Sequence, residues 1–208
     1  VQVADAMGVQ VVKSSLHERI NSRLVMLLAV LLELSLKRVV ATPARLVPRL
    51  QTLEGLDIVD STQLTVCPAL YETFCGSGGT AKLKVHVVLD YLRRSVRMVE
   101  TVAGRQPDQA CTLWAKLMQP KHLYLFDLGY FKQETLRDLD QAHAFFVTRC
   151  QSQVSLYDPT TFAPVDLSQL LKRQRTEQFE GCFRLGSRVK TPVRVVARRL
   201  AADVAAAR

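Results

Sequence analysis

The chain has 208 residues, 48% of them hydrophobic, and a formal net charge of +9. This length and apolar content exclude a disordered chain and predict one sizeable α/β domain with room for a small second lobe. The charge points to an anionic partner, nucleic acid before membrane, and it is uneven: residues 172 to 208 hold ten Lys or Arg against Glu177, Glu180 and Asp203. Five scattered cysteines (Cys67, Cys75, Cys111, Cys150 and Cys182) form no CxxC pair, and no signal peptide precedes them, so they are expected to be reduced in a cytoplasmic protein. The longest apolar run, Leu24 to Leu32, ends at Glu33, well short of the roughly 20 residues a bilayer span needs. The chain opens on Val1 and stops at Arg208 in an Ala- and Arg-rich stretch, so a piece of a longer protein is expected.

Residues 15 to 40 read as a long helix, with Ser14 and Ser15 as N-caps, Glu18 in capping-box spacing and Pro43 just past its end. Its broad apolar face is expected to lie against a core. A second, short helix is predicted over 44 to 53. The stretch GLDIVDST (55 to 62) is an apolar strand in which Ile58 and Val59 lead into Asp60. Residues 67 to 80 contain Pro68 and GSGG and read as a flexible loop. In AKLKVHVVLDYL, Leu83, Val85 and Val87 alternate with Lys82, Lys84 and His86. SVRMVETVAG (95 to 104) is its natural antiparallel partner. Pro107 opens a predicted helix that runs to about Met118. HLYLFD is the next strand and ends on Asp127; KQETLRDLDQ is the next helix, and HAFFVTRC the last clear strand.

Three strands, then helix, strand, helix, strand, is the order of a ribonuclease-H-like mixed sheet flanked by helices. A plain doubly wound fold would place a helix after its first strand. From 152 onward short β-like pieces (QVSLYD, TFAPVD, EQFEGCFRLG, TPVRVVARRL) surround a polar helix-like patch at 167 to 174. The expected division is therefore an N-terminal helical segment at 1–54, a partial core at 55–150 and the start of a β-rich insertion at 151–208.

In that strand order the first and fourth strands adjoin at the sheet centre, bringing Asp60 beside Asp127. Neighbouring carboxylates repel unless they are protonated or bridged by a cation, and Mg²⁺ or Mn²⁺ suits hard oxygen ligands. Two such ions, about 3.5–4 Å apart, can activate a water or 3′-hydroxyl and stabilise the leaving oxygen of a phosphodiester. The bland alternative is that each Asp is a turn residue or helix N-cap, and Gly129 favours a turn beside Asp127 in any case.

Taken in order, DSTQL at 60 to 64, Phe74 with GSGG, KLKVH at 82 to 86, DLGYF at 127 to 131 and FFVTR at 145 to 149 resemble the DDE transposases of bacterial insertion sequences, in the group named after insertion sequence four. SSLHERIN is similar to the helix preceding the catalytic domain there, and the likeness covers most of residues 5 to 150. The resemblance implies that Asp60 and Asp127 are catalytic metal ligands for Mg²⁺ or Mn²⁺, and that Lys84 and Arg149 fall where such proteins approach DNA or the active site. It implies double-stranded DNA (element terminal repeats and target) as partner, a possible homodimer, no membrane, and a bacterial cytoplasm with nucleoid association. Gly104 and Asp108 have the spacing of the family's T-x-G-x-x-x-D turn, with Thr101 one residue further from the glycine. Tyr130 is expected to pack rather than catalyse.

The departure is the third acidic ligand. The family's Y-x₂-R-x₃-E-x₆-K helix is not matched by any tyrosine: Tyr91 has Arg94 three residues on, but Met98 stands where Glu is required. Glu177 and Glu180 lie in the β-like stretch and do not meet the pattern. The chain is therefore expected to be a transposase fragment that catalyses little alone. The rival readings are a non-catalytic DNA-binding relic or interfering protein, and a nuclease drawing its third carboxylate from Glu177 or Glu180. His17, His86, His122 and His143 show neither HExxH nor H-x₃₋₅-H spacing, so no zinc site is expected.

Overall fold

The computed structural model describes residues 21–38, 50–151, 153–174 and 176–199. Helix α1, Ser22–Arg38, lies inside the predicted 15–40 window; the rest of that window and most of the predicted 44–53 helix fall outside the described residues. Its contacts run to the strand Ser95–Ala103, while Val25, Met26, Leu27, Leu28, Val30 and Leu31 stay exposed. Among its side chains that are described, only Leu24 is half-buried, so the expected packing against the core is not seen there.

A five-stranded mixed sheet follows, in the order β3-β2-β1-β4-β5. Its strands are β1 Gly55–Thr65, β2 Lys82–Asp90, β3 Ser95–Ala103, β4 His122–Phe126 and β5 Phe145–Val147. The pairs β1–β2 and β2–β3 are antiparallel, whereas β1–β4 and β4–β5 are parallel. This is the ribonuclease-H-like arrangement, with first and fourth strands side by side. Helix α3, Gln133–Gln141, joins β4 to β5 and buries Thr135, Leu136 and Leu139.

The predicted helix from Pro107 to Met118 is instead a 3₁₀ turn at Asp108–Ala110 and a single turn, α2, at Trp114–Leu117. The cause lies on β3. The Glu100 carboxylate accepts hydrogen bonds from the Thr112 backbone N–H (3.1 Å) and hydroxyl, and from the Cys111 thiol (3.4 Å). Those bonds hold Cys111 and Thr112 out of helical geometry.

The core fills one face of this sheet. Trp114 stands edge-on to Tyr124, Phe126 and Tyr130, at centroid distances of 6.0, 5.1 and 6.2 Å, above Leu117, Leu136 and Leu139. Edge-to-face aromatic pairs of this kind add roughly 0.5–1.5 kcal/mol beyond burial. Residues 156–198 form a second antiparallel sheet, β7-β6-β8-β9, from β6 Leu156–Tyr157, β7 Pro164–Val165, β8 Gln178–Leu185 and β9 Thr191–Arg198. Helix α4, Leu167–Arg173, is N-capped by Asp166, whose carboxylate accepts from Gln169 N–H at 3.0 Å. Leu156, Phe183 and Leu185 join the same core as Trp114.

Candidate active site

Strand β1 is anchored on β4 by a register that ends at Val59 opposite Phe126. Asp60 and Asp127 are the next residue on each strand, so their backbones stand roughly 5 Å apart on neighbouring strands. Val59 and Phe126 point into the core, so alternation turns Asp60 to the other face of β1, while Asp127 leaves β4 at the cap of a turn. Both carboxylates are exposed. Asp60 Oδ1 accepts from Ser61 N–H at 2.7 Å, and Asp127 Oδ1 accepts from Gly129 N–H at 3.0 Å. Asp127 is thus the N-cap of the 3₁₀ turn Leu128–Tyr130, as the turn reading expected. Among the described residues, no Lys, Arg or His lies within ion-pair distance of either carboxylate.

Gly129 matters to this geometry. A Cβ there would stand 2.8 Å from Asp108 Oδ2 and 3.1 Å from Asp127 Oδ1, so both carboxylates close on the space its missing side chain leaves. Asp108 was legible in the sequence only as part of a turn, through its spacing from Gly104. The structure adds it to the site: Asp108 Oδ1 accepts from Ser61 Oγ at 3.0 Å and from Lys84 Nζ at 2.9 Å.

Beneath the exposed pair, on the core face, lies a buried polar cluster. The β1–β2–β3 ladder sets Ser61, His86 and Glu100 abreast. His86 is fully buried, and its Nδ1 bonds the Tyr130 hydroxyl at 2.6 Å. Burial lowers the His86 pKa against the opposing pull of Asp108 and Glu100, with Lys84 reinforcing the lowering. Burial likewise pushes the Tyr130 hydroxyl up and the Cys111 thiol up to about 11. Burial raises Glu100, but its hydrogen bonds from Thr112 and Cys111 outweigh this and leave it lowered. Tyr130 packs, as expected, and also carries a hydrogen bond that the sequence did not announce.

The alternation read in β2 is present, and the face that carries Lys84 and His86 is the buried one. Lys84, His86, Val88 and Asp90 are buried, whereas Leu83, Val85 and Val87 are half-buried on the face that carries Asp60. Lys84 is therefore not a solvent-facing strand residue. It is 6% exposed, and its ammonium donates to Asp108 and to the Gln106 carbonyl at 2.6 Å. Arg149 is exposed, and continuing the Leu125–Val147 register brings it level with Asp127, whose carbonyl accepts from Thr148 Oγ1 at 3.3 Å. Glu180 sits on β8, paired with Arg194 at 3.3 Å; Glu177 lies just before that strand.

Over residues 54–200 the chain matches the family described as the transposase DDE domain. It is 33% identical over 104 residues to the transposase for insertion sequence element IS1151 of Clostridium perfringens, a stretch covering 48% of this chain and 22% of that protein. It is 25% identical over 147 residues to the transposase for insertion sequence element IS231F of Bacillus thuringiensis subsp. israelensis, covering 68% of this chain and 31% of that protein. The chain thus spans about a third or less of the length of these curated relatives.

Proposed function

Since the chain belongs to the transposase DDE-domain family, we propose that it carries two of the metal-holding carboxylates of a DNA-cleaving and strand-joining centre, Asp60 and Asp127. The observation that supports this reading is the β1–β4 register, after which Asp60 and Asp127 follow at neighbouring positions, both exposed and, among the described residues, with no protein cation at ion-pair distance. Family membership implies a divalent metal and DNA as partner. Mg²⁺ or Mn²⁺ is the finer proposal, because the donors facing that side are carboxylate oxygens. When bound, such an ion makes a water or 3′-hydroxyl a better nucleophile and offsets charge on the phosphate.

The chain's own residues orient the site. Asp127 is held by its bond from Gly129 and Asp60 by its bond from Ser61, so each keeps a second oxygen for a ligand. Asp108, already neutralised by Lys84, supports Ser61 from the inner face. Arg149, level with Asp127, is the proposed contact to a DNA phosphate, and the basic residues of β9 and its flanks extend the anion-attracting surface. Two carboxylates without a third leave the coordination sphere open, so metal binding is weak and strand cleavage by this chain alone is low. Double-stranded element ends and target DNA are the proposed substrates.

Thermal unfolding in Mg²⁺ or Mn²⁺ tests the reading. For a millimolar site, 10 mM Mg²⁺ should stabilise the chain by about 1.4 kcal/mol, or roughly 3–5 °C. Asp60→Asn or Asp127→Asn should remove that shift and, by relieving repulsion, leave the metal-free protein no less stable. A full metal-induced shift in both variants would overturn the assignment.

A further inference from the structure

Three side chains on the inner face remain without a role. One ring nitrogen of His86, one carboxylate oxygen of Glu100 and Sγ of Cys111 lie within 4.8 Å of one another. His86 is 0% exposed and Cys111 7%. Tyr130 occupies Nδ1 of the imidazole, and Nε2 has no partner among the described residues. A buried, unpaired ring nitrogen costs roughly 1–3 kcal/mol unless something takes its lone pair or proton. A metal ion would take the lone pair.

We propose that His86, Glu100 and Cys111 form a zinc-class metal site beneath the Asp60–Asp127 pair and separate from it. Thiolate and imidazole ligands select zinc, cobalt or cadmium over magnesium, whereas the outer pair offers oxygen only. Ligand atoms on a tetrahedral zinc stand roughly 3.5 Å apart. The Sγ–Oε2 distance is already 3.4 Å, and the remaining approach needs closure by about an ångström. The supporting contacts suit a ligand set: Tyr130 fixes the imidazole through Nδ1, and Thr112 holds the Glu100 carboxylate through its N–H and hydroxyl. Binding through Nε2 leaves the imidazole neutral with its proton on Nδ1, and displaces one proton from the Cys111 sulfur. Three protein ligands leave a fourth position for water. Such an ion would cross-link β2, β3 and the segment after Asp108, and would reach the outer carboxylates only through Tyr130 and Ser61.

The test uses the purified 208-residue chain, stripped with a chelator and titrated with Co²⁺ and then Zn²⁺. The expected result is one Co²⁺ per chain with a thiolate-to-cobalt charge-transfer band, displaced by Zn²⁺. Cys111→Ser loses the band; Cys182→Ser, at an exposed position, and Asp60→Asn keep it. Because Asp60→Asn leaves this band in place and abolishes only the Mg²⁺ response, failure of either site is read independently. Circular dichroism checks each fold. If Cys111→Ser unfolds, Glu100→Gln decides, with zinc affinity in competition with a chelating indicator expected to fall at least tenfold. Absence of the band, its survival in Cys111→Ser, or unchanged affinity in Glu100→Gln would each overturn the proposal.

Discussion

Replacing Lys84 by Met removes one charge from an internal pair and keeps the length of the apolar stem. The Lys84 side chain is 7% exposed and that of Asp108 24%, with their charged atoms 2.9 Å apart. Breaking a fully buried pair by deleting one partner costs about 3–5 kcal/mol. Water reaches part of Asp108 and lowers that figure, while the lost bond to the Gln106 carbonyl adds about 1 kcal/mol. The expected cost is about 3 kcal/mol, a fall in Tm of roughly 6–12 °C. Urea unfolding followed by circular dichroism measures it. Asp108→Asn, which strands the Lys84 ammonium, should cost a similar amount, and the double variant less than the sum by about 2 kcal/mol. The same variants separate an internal role from a DNA contact. Lys84→Met should leave the dependence of DNA affinity on salt unchanged, whereas Arg149→Ala should flatten the log–log slope by about 0.9. A Lys84→Met cost below about 0.5 kcal/mol, or additive behaviour in the cycle, would refute the reasoning.

Tyr130→Phe leaves Nδ1 of a fully buried imidazole without its partner, so it should cost about 1–3 kcal/mol in thermal unfolding; no measurable change would remove the His86–Tyr130 bond from the stability account. His86, facing Asp108, Glu100, Lys84, Tyr130 and Cys111, has a folded pKa below its unfolded value near 6.5. The unfolded state therefore takes up the proton first, so stability is present above about pH 6.5 and is lost as the pH falls below it. His86→Asn should show a shallower loss between pH 7.5 and 5.5 in urea midpoints, and an identical slope would point to another group. Gly129→Ala forces a methyl group against Asp108 and Asp127, and should cost about 1–3 kcal/mol while weakening the Mg²⁺ response; an unchanged midpoint and response would show that the turn has room.

The strands were legible because apolar alternation and turn residues are local signals. GLDIVD, the alternation in KLKVHVV, its hairpin partner and HLYLFD each carry their own period, and their order alone implied that β1 and β4 adjoin. The neighbouring positions of Asp60 and Asp127 followed from that adjacency. What the chain does not state locally is which side of β2 meets the core. The apolar residues Leu83, Val85 and Val87 alternate as a buried face should, yet Lys84 and His86 are the buried ones, because Asp108, Gln106 and Tyr130 arrive from distant segments to satisfy them. Asp57 illustrates the same point: it interrupts an apolar run but is 1% exposed, paired with Arg97 at 2.6 Å and His122 at 3.0 Å. The helix expected after Pro107 failed for a related reason, since the acceptor that breaks it, Glu100, comes from another strand. His86, Glu100 and Cys111 escape every metal motif because their proximity is created by strand pairing and not by spacing.

The two faces of β1 divide the work at adjacent residues. Asp60 points outward to a face where Leu83, Val85, Val87 and Leu125 are only half-buried, and Ser61 points inward to Asp108, beside Lys84, His86 and Tyr130. A carboxylate on an exposed strand would ordinarily be free to wander with its backbone. Here that backbone is held from below by a chain of hydrogen bonds in a low-dielectric setting, where each is stronger than in water and each missing partner is costly. Asp127 is held in the same way, by Phe126 in the aromatic core and by the turn that buries Tyr130. Asp60 and Asp127 follow at neighbouring positions on adjoining strands and carry like charges. On the proposed reading a divalent ion offsets both charges, while Lys84 already serves as the cation of the inner network. Disturbing the inner network should therefore weaken the outer metal response even when Asp60 and Asp127 are untouched, and Ser61→Ala, which cuts the link to Asp108 alone, is the sparest way to measure that coupling. A Mg²⁺-induced Tm shift identical in Ser61→Ala and the parent chain would show that the two faces act independently.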